Sequence, residues 1–343
     1  MVKAIQRTEI KMKFKHWLVM VAIAGAGVTA RAEVSEIKIA GGFGLTNLPL
    51  MVMDKFNLVE KHGKAAGIQV KGVYATIAGG ANMNDALLAG AVDVGFPSPT
   101  SFLPLWARTR GTNNEVKAIG AIASMPLVLT TRNPAVKTVR DFTDKDKIAV
   151  PSLRVSIQPI LLRMAVVREL GEANSGRLDP MTIALSHPEA TAAMLSGAGE
   201  VTAHFTSPPY YQMQLKKPGI RAVLNSYEIM GGPATFVIGM APSKFVNGNP
   251  KAYAAFVAAL DEAISFINRN KREAAQIYLD ASKDKTPVEE ILAMLNDPQI
   301  VFTTAPQKTM AYADFMFKDG MIKVRPESWK DMYYPNVHNL PGS

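Results

Sequence analysis

The sequence of 343 residues contains no cysteine. Disulfide bonds, thiolate catalysis and metal sites built on cysteine are therefore excluded for this sequence. Three enzyme motifs are missing as well: the Gly-x-Ser-x-Gly nucleophile turn, the His-Glu-x-x-His metal site and the Gly-x-x-x-x-Gly-Lys-Ser/Thr phosphate loop. The five histidines are scattered, and no pair has the spacing of metal ligands on a helix. These absences favour a protein that is not an enzyme and that holds no metal and no cofactor.

A run of about 20 apolar residues, as a membrane span needs, is also missing. The apolar stretch from Trp17 to Ala26 is shorter; it follows the basic stretch Lys11–Lys15 and precedes the small-x-small sequence Ala30–Ala32. This is the layout of a secretory signal peptide. We therefore expect residues 1–32 to be a signal peptide, cleaved near its end, and the remaining chain to be exported to the periplasm. An uncleaved membrane anchor is the alternative, which the short stretch disfavours.

Charge is unevenly distributed between this leader and the rest of the chain. The whole sequence has a formal net charge of +9, and residues 1–32 contain six basic residues and one acidic residue. Residues 33–343 therefore keep +4, without a run of basic residues. This modest positive charge gives weak support to an anionic ligand, and it gives none to nucleic acid binding.

After the leader, short strand patterns alternate with amphipathic helix patterns, which predicts an α/β fold. The helices are indicated by apolar residues at spacings of three and four and by residues typical of helix starts. We expect Asn82 and Ser156 each to cap a helix, and Thr286 to form a capping box with Glu289. Asn249-Pro250 should begin the longest helix. Strands are expected at Ile37–Ile39, Gln69–Tyr74, Val92–Phe96 and Ile148–Val150.

One pattern occurs twice in the chain. Ala86–Pro99 and Ala193–Pro208 each contain a helix end, a glycine, an acidic residue, a strand pattern and a Ser-Pro pair. The repetition indicates two lobes of similar topology, although coincidence among common turn residues is the alternative. Ligands of open α/β sheets bind beyond the carboxyl ends of the strands. We therefore expect Ser98-Pro99 and Ser207-Pro208 to face a shared cleft.

The segment Gly79–Gly95 resembles the first lobe of periplasmic substrate-binding proteins of the nitrate/sulfonate/taurine ABC-importer group, which includes binders of thiamine-pyrimidine precursors. The resemblance implies the type II periplasmic binding protein fold, an α/β fold with two lobes, a central ligand cleft and two crossover segments. It places lobe 1 at residues 33–123 plus 247–343 and lobe 2 at residues 124–246. Further fragments similar to this group lie at Phe56–Gly63, Pro126–Asn133, Val139–Phe142, Lys147–Val150 and Ser243–Pro250.

The same resemblance implies a function. Proteins of this group capture a small solute, close around it by a hinge motion and deliver it to an ABC permease at the inner membrane. We therefore expect an exported, monomeric solute-binding protein without catalytic residues. Two alternatives stay open: an enzyme similar to thiamine-pyrimidine synthases, whose cysteine-rich segment this chain lacks, and a ligand-sensing module for a membrane kinase.

Candidate ligand contacts lie at the predicted turns between strands and helices. Unpaired main-chain N–H groups and helix dipoles favour anions at such turns. The candidates are Phe43, Thr46, Asn47, Gly80, Ser98, Thr100, Ser124, Arg154, Ser156, Gln158, His187, Phe205, Ser207 and Thr235.

Several of these candidates have a second interpretation. Arg154 is predicted to bind a carboxylate or sulfonate with two parallel hydrogen bonds, or else to lie on the surface. Phe43 and Phe205 either stack on an aromatic ligand or pack in the core. His187 is either a turn residue or a solute contact. Because neighbouring strand residues face opposite sides, only one of His204 and Phe205 can face the cleft, and we favour Phe205.

The predicted solute is a small organic anion, similar to a sulfonate or a carboxylate. The net charge and the candidate arginine favour the anion, and the aromatic candidates favour an apolar or aromatic body. Ser98, Ser156 and Ser207 also have a purely structural alternative, since serine often caps helices and bonds to its own turn.

Overall fold

The structure is a computed structural model that describes residues 33–343, and the predicted signal peptide lies outside the described residues. No helix within this range is both long enough and apolar enough to cross a bilayer. The range contains eleven strands: β1 (Glu36–Gly41), β2 (Lys71–Thr76), β3 (Val94–Gly95), β4 (Val116–Ser124), β5 (Val128–Thr131), β6 (Ile148–Val150), β7 (Thr182–Ala184), β8 (Ala203–Thr206), β9 (Arg221–Asn225), β10 (Thr235–Pro242) and β11 (Val301–Phe302).

The helices of the same range lie between and after these strands. Short 3-10 helices lie at Leu45–Asn47, Val139–Asp141, Glu172–Asn174, Asp179–Met181 and Pro335–Val337. The α-helices are α1 (Leu48–Lys55), α2 (Leu58–Ala65), α3 (Gly80–Leu88), α4 (Pro99–Thr109), α5 (Ile157–Leu170), α6 (His187–Ser196), α7 (Tyr210–Leu215), α8 (Ser226–Met230), α9 (Ser243–Gly248), α10 (Pro250–Arg269), α11 (Lys271–Ser282), α12 (Val288–Asn296), α13 (Thr309–Lys318) and α14 (Trp329–Met332).

The strands form two separate sheets, which define two lobes. The sheet of the first lobe has six strands in the order β11-β4-β10-β3-β1-β2. The sheet of the second lobe has five strands in the order β7-β6-β8-β5-β9. In each sheet three neighbouring strands are parallel, and an antiparallel strand, β10 or β5, pairs with this group. This arrangement of two mixed sheets with helices confirms the predicted fold class.

Two chain segments connect the lobes. Residues 125–127 lead from β4 into β5, and residues 231–234 lead from α8 back into β10. β4 and β10 are hydrogen-bonded partners, with Thr235 opposite Ser124, so both connections leave the first sheet at the same point. The sequence-based division differs here, because it placed residues 124–246 in lobe 2. The pairing of β10 with β4 and β3 puts that strand in the first sheet.

Burial of apolar faces explains why the chain adopts these elements. Ile37 and Ile39 of β1 are almost fully buried and alternate with exposed residues at the start of the strand. α10 begins at Pro250, as predicted, and with 20 residues it is the longest helix described. Its buried side chains, Phe256 and Leu260 among them, face the first lobe, where α10 packs on α1 and α2. Each such side chain contributes roughly 1.5–3 kcal/mol on burial, which fixes α10 on this lobe.

Two predicted helix caps are wrong. Asn82 lies inside α3, whose N-cap is Gly79, because the glycine pair before it lets the helix begin earlier. Gly79 has a φ of 79°, a value that glycine adopts without strain. Pro287 rather than Thr286 is the N-cap of α12, since the Thr286 hydroxyl donates to the Asp284 carboxylate.

Candidate functional site

A cavity of about 90 Å³ lies where residues of the two lobes meet. A buried water needs about 10–15 Å³ on this scale, so the cavity has room for several waters or one small organic molecule. The first lobe contributes the turn after β1, the turns before α3 and α4, and the start of β10; the second lobe contributes the turn after β6 and the starts of α5 and α6. The lining residues are Gly42, Phe43, Thr46, Asn47, Ile77, Ala78, Gly79, Gly80, Met83, Phe96, Pro97, Ser98, Ser101, Pro151, Ser156, Ile157, Gln158, Ser186, His187, Phe236 and Val237.

Four helices begin at this cavity: α3 and α4 from the first lobe, α5 and α6 from the second. Their N-cap residues, which are Gly79, Ser98, Ser156 and Ser186, all line it. The first N–H groups of a helix have no partner within the helix, and the helix dipole places partial positive charge at this end. Four such ends around one small space make it favourable for an anion.

The ends of α3 and α5 keep the most hydrogen-bonding capacity. Neither Gly79 nor Ser156 bonds to the first N–H groups of its helix with a side chain. The Ser156 hydroxyl instead donates to the Ser152 carbonyl at 2.6 Å, so Ser156 occupies the predicted N-cap position without side-chain capping. Ser98 and Ser186, by contrast, accept hydrogen bonds from their own helices. The N–H groups that start α3 and α5 are therefore the best placed to bind a ligand.

The lining carries no formal charge at neutral pH. No Asp, Glu, Lys or Arg side chain is among the lining residues, and His187 is the one histidine there. Burial lowers the pKa of His187 from 6.5 to about 4, so its ring is neutral at pH 7. In residues 33–343, no cluster of His, Asp and Glu side chains could hold a metal ion. A ligand in the cavity therefore meets neutral hydrogen-bonding groups rather than an ion-pair partner.

Apolar side chains form the remaining walls. Met83, Phe96, Ile157 and Phe236 line the cavity, and all four are buried. Phe43 is 37 % exposed, and it also borders a neighbouring groove between the lobes, so it lies at the cavity mouth. These walls can bury the carbon atoms of an organic ligand while the helix ends bind its polar atoms.

The lobes contact each other around the cavity. The hydroxyls of Thr100 and Ser101 on α4 both donate to the main-chain oxygen of Val155 in the second lobe, at 3.0 and 2.9 Å. On another side, the N–H of Leu45 donates to the main-chain oxygen of Pro208 at 3.2 Å. The structure is therefore a closed form, in which the lobes are held together beside the cavity.

Eight of the fourteen residues predicted from the sequence line the cavity: Phe43, Thr46, Asn47, Gly80, Ser98, Ser156, Gln158 and His187. Thr100 lies beside it, in the contact between the lobes. Ser124 and Thr235 lie opposite each other at the two connections between the lobes. The Thr235 hydroxyl accepts a hydrogen bond from the Gln307 N–H at 2.8 Å, which gives it a structural partner.

Arg154, Phe205 and Ser207 lie outside the lining. Arg154 is exposed in the turn before α5, where its φ of 68° is in the left-handed region and its side chain is not among the cavity walls. Phe205 is fully buried in the hydrophobic core, and its neighbour His204 is the residue that contacts His187. The expectation that Phe205 faces the cleft is therefore corrected, because the core occupies its side of β8; His204 does not line the cavity either and lies behind His187.

The two Ser-Pro loops have different positions. Ser98 lines the cavity, whereas the loop at Ser207 packs on the Gly44 turn of the first lobe through the Pro208 oxygen. Both loops therefore lie between the lobes, but only the loop at Ser98 lines the cavity.

Sequence reasoning missed Gly79, Ser101 and Ser186 as lining residues. A signal existed for Ser186, because it forms a capping box with Glu189, three residues later.

The fold is that of the type II periplasmic binding proteins, and three solved structures share it. The alkanesulfonate-binding protein SsuA from Xanthomonas axonopodis pv. citri, bound to MOPS, is 18% identical with a TM-score of 0.65, over 86% of this chain and 96% of that one. The periplasmic nitrate-binding protein NrtA from Synechocystis PCC 6803 is 16% identical with a TM-score of 0.68, over 88% and 84%. The periplasmic aliphatic sulphonate binding protein SsuA from Escherichia coli is 18% identical with a TM-score of 0.62, over 88% and 92%.

The sequence also matches a protein family. The chain belongs to the NMT1-like family, whose model matches residues 30–279. No curated protein sequence matches the chain. The similar structures are binding proteins by name rather than enzymes, and at their low sequence identity the likeness extends to the fold.

Proposed function

We propose that this chain is an exported solute-binding protein of an ABC importer, which captures a small organic anion between its lobes and delivers it to a membrane permease. It acts in the periplasm as a monomer and breaks no bond of the solute. The observation that carries this proposal is the convergence of four helix N-termini, two from each lobe, on one small cavity. The similar structures support the proposal, since by name they are proteins that bind sulfonates or nitrate.

Hinge closure follows from the division of the site between the lobes. A solute on the first lobe contacts the starts of α3 and α4, and it reaches the starts of α5 and α6 only when the second lobe closes. Because the closed form makes more contacts with the solute, binding shifts the population toward closure. The contacts of Thr100 and Ser101 with Val155 add to the stability of that form.

The neutral lining is compatible with an anion. A helix end contributes about 0.3–1 kcal/mol to binding a negative group when exposed, and up to about 2 kcal/mol when partly buried. Micromolar capture requires about −8 kcal/mol in total. The two uncapped helix ends, those of α3 and α5, supply at most about 4 kcal/mol of this free energy. Burial of carbon atoms against Phe43, Phe96 and Phe236 must supply the remainder, which favours an organic anion over an inorganic one such as nitrate.

Isothermal titration calorimetry of the purified protein tests the proposal. The panel consists of methanesulfonate, ethanesulfonate, taurine, acetate, benzoate, nitrate and a neutral aminopyrimidine. We expect a sulfonate or carboxylate to bind with micromolar affinity and nitrate to bind more weakly. If only the pyrimidine binds saturably, the solute is an aromatic amine rather than an anion. If no compound of the panel binds, the proposal is contradicted.

A matched pair of variants locates the binding. Gln158→Leu removes an amide that lines the cavity, whereas Gln276→Leu removes an exposed amide on α11. We expect the first substitution to weaken binding about tenfold, as for the loss of one hydrogen bond to a charged acceptor, and the second to have no effect. Equal effects of the two substitutions would place the solute elsewhere.

A further inference from the structure

A second layer of polar side chains lies behind His187, on the far side from the cavity. His187 Nδ1 is 2.9 Å from His204 Nε2, and His204 Nδ1 is 2.7 Å from the side-chain amide of Gln214. The other end of that amide is 2.6 Å from the Thr130 hydroxyl. His204, Gln214 and Thr130 are fully buried, and they do not line the cavity. These three side chains are not among the proposed solute contacts.

Only one of the two nitrogens in this contact, His187 Nδ1 or His204 Nε2, can carry a hydrogen. A neutral imidazole carries hydrogen on one of its two nitrogens and accepts with the other. If His204 carries its hydrogen on Nε2, that nitrogen donates to His187 Nδ1, and His187 must carry its own hydrogen on Nε2. If His187 instead carries its hydrogen on Nδ1, His204 must carry its hydrogen on Nδ1. The two rings therefore carry hydrogen on the same type of nitrogen, either Nε2 in both or Nδ1 in both.

Both rings are neutral at pH 7, as this argument requires. Burial lowers the pKa of His187 to about 4, and burial together with the neighbouring His187 lowers the pKa of His204 well below its usual range. Among residues 33–343, no acidic side chain forms a hydrogen bond with either ring. The Thr206 hydroxyl, 3.0 Å from His187 Nδ1, is neutral as well.

The Gln214 amide distinguishes the two arrangements. With its nitrogen toward His204, the amide donates to His204 Nδ1 and to the Thr191 hydroxyl at 3.1 Å, and its oxygen accepts from the Thr130 hydroxyl. The 2.6 Å contact of the amide oxygen with Thr130 suits an O–H···O bond, and the same hydroxyl also lies 3.1 Å from the His204 main-chain oxygen. The orientation that the structure gives the amide places hydrogen on Nε2 of both rings.

Nε2 of His187 lies on the cavity side of the ring. It is 3.5 Å from Nε2 of Gln158, whose side chain lines the cavity. The amide nitrogen of Gln158 is a donor as well, so with hydrogen on His187 Nε2 the two groups do not bond each other, and an acceptor atom between them can receive both hydrogen bonds. The Gln158 side-chain oxygen is buried and has no hydrogen-bond partner among residues 33–343, so it can accept a hydrogen bond from a donor of the solute.

We propose that His187 donates a hydrogen bond from Nε2 to an oxygen of the solute, and that His204 and Gln214 fix this donor role from behind the cavity wall. The inference rests on the proposed function, in which the solute is an anion with acceptor oxygens. His187 contacts the solute, whereas His204 and Gln214 are positioning residues. A solute that presents only donors to His187 binds poorly, because accepting from it requires both rings and the amide to change together.

Two-bond ¹H–¹⁵N correlation spectra of the full chain, labelled with ¹⁵N-histidine at pH 7, measure the tautomers directly. We expect His187 and His204 both to carry hydrogen on Nε2, before and after addition of methanesulfonate as the probe. The proposal is overturned if the two rings carry hydrogen on different nitrogens, if either ring is charged, or if both rings carry hydrogen on Nδ1. The spectrum recorded without methanesulfonate tests the tautomers even if this probe does not bind. A failure of methanesulfonate to bind counts against the proposed function alone.

A pair of variants at His204 tests the positioning role. Phenylalanine removes the donor behind His187, whereas the amide of glutamine can still donate to His187 Nδ1. We expect His204→Phe to bind methanesulfonate about tenfold more weakly, and His204→Gln to restore binding to within about twofold of the parent. Unchanged binding by a folded His204→Phe, or equal losses in the two variants, overturns the positioning role. If His204→Phe does not fold, the tautomer spectrum of the unaltered protein decides the proposal.

Discussion

Ser101 on α4 of the first lobe donates its hydroxyl hydrogen to the main-chain oxygen of Val155 in the second lobe, across 2.9 Å. Ser101 also lines the cavity, so the same side chain belongs to the lobe contact and to the candidate site. If the cavity binds the solute as proposed, closure and solute binding are coupled at this residue.

Removal of that hydroxyl should weaken the closed form. A neutral hydrogen bond contributes about 0.5–1.5 kcal/mol, so Ser101→Ala is expected to reduce solute affinity about two- to tenfold. Calorimetric titration with the solute measures the effect, and Ser196→Ala on the exposed end of α6 is the control. An affinity equal to that of the parent protein shows that this contact does not stabilise closure.

Gly80 is expected to tolerate no side chain. A Cβ at Gly80 would lie 1.9 Å from Ser101 Oγ and 2.4 Å from Ser101 Cβ, which is far closer than real contacts. Gly80→Ala must therefore displace the start of α3 or the Ser101 side chain, and we expect a loss of solute affinity of tenfold or more, about 1.4 kcal/mol. Gly248→Ala is the control, because a Cβ there meets nothing within 4 Å. Similar affinities for the two variants would contradict the described packing.

An ion-pair cluster of Arg163, Asp319 and Ser175, here called the latch, joins the two lobes away from the cavity. Arg163 on α5 pairs with Asp319, which follows α13 in the first lobe, and Ser175 donates to the same carboxylate at 2.6 Å. The side chains of Arg163 and Asp319 are 19% and 13% exposed, so the pair is largely buried. Its loss should cost more than the roughly 0.2–1 kcal/mol of an exposed pair and less than the roughly 3–5 kcal/mol of a fully buried one.

Asp319→Asn is accordingly expected to weaken solute binding about five- to thirtyfold by favouring the open form, the equivalent of about 1–2 kcal/mol. Asp314→Asn is the matched control, since Asp314 pairs with Arg325 within the first lobe and both are about half exposed. Small-angle X-ray scattering without solute should show a larger radius of gyration for Asp319→Asn than for the control. Equal radii and equal affinities would show that the latch does not influence closure.

Stability should fall in acid because of His187. Its pKa is about 4 in the folded protein against 6.5 for the free side chain, so the unfolded chain binds a proton that the folded protein does not between these values. The free energy of unfolding therefore decreases as the pH falls from about 6.5 to about 4, by about 3 kcal/mol for this group at 1.36 kcal/mol per unit. His204, with its pKa lowered by burial and by His187, acts in the same direction.

Urea denaturation at several pH values measures this dependence. His187→Gln should remove much of the loss between pH 6.5 and 4, whereas His338→Gln controls for the loss of a histidine near the carboxyl end of the described chain. A parent protein whose stability does not change over this window would contradict the buried, neutral state of His187.

Much of the site could be predicted from the sequence because helix starts leave local signals. Glycine pairs, Ser-Pro pairs and capping boxes mark the turns that face the cavity, and Ser98, Ser156 and His187 were predicted as candidates on this basis. These signals depend on neighbouring residues along the chain. The alternation of strands and helices predicts the α/β class in the same way, whereas the two lobes are expected from the repeated Ser-Pro pattern and from the family resemblance.

The remaining features depend on contacts between distant residues. Arg154 is predicted at the turn before α5, but the left-handed conformation at this point leaves its side chain exposed, and no sequence pattern gives that direction. The contact of His187 with His204 depends on how α6 packs on β8, which the alternation of side chains along one strand does not determine. Likewise, β10 belongs to the first sheet because it pairs with β4, more than 110 positions earlier.

Titration of ¹⁵N-labelled protein with methanesulfonate, followed by amide chemical shifts, shows whether the helix ends at the cavity bind the anion. We predict saturable shifts for the N–H groups that start α3 and α5, with Gly80 and Gln158 among the largest, and concerted smaller shifts at the connections 125–127 and 231–234 as the lobes close. Saturable shifts confined to residues outside the cavity, or no shifts with any anion of the panel, would contradict an anion-binding site at these helix ends.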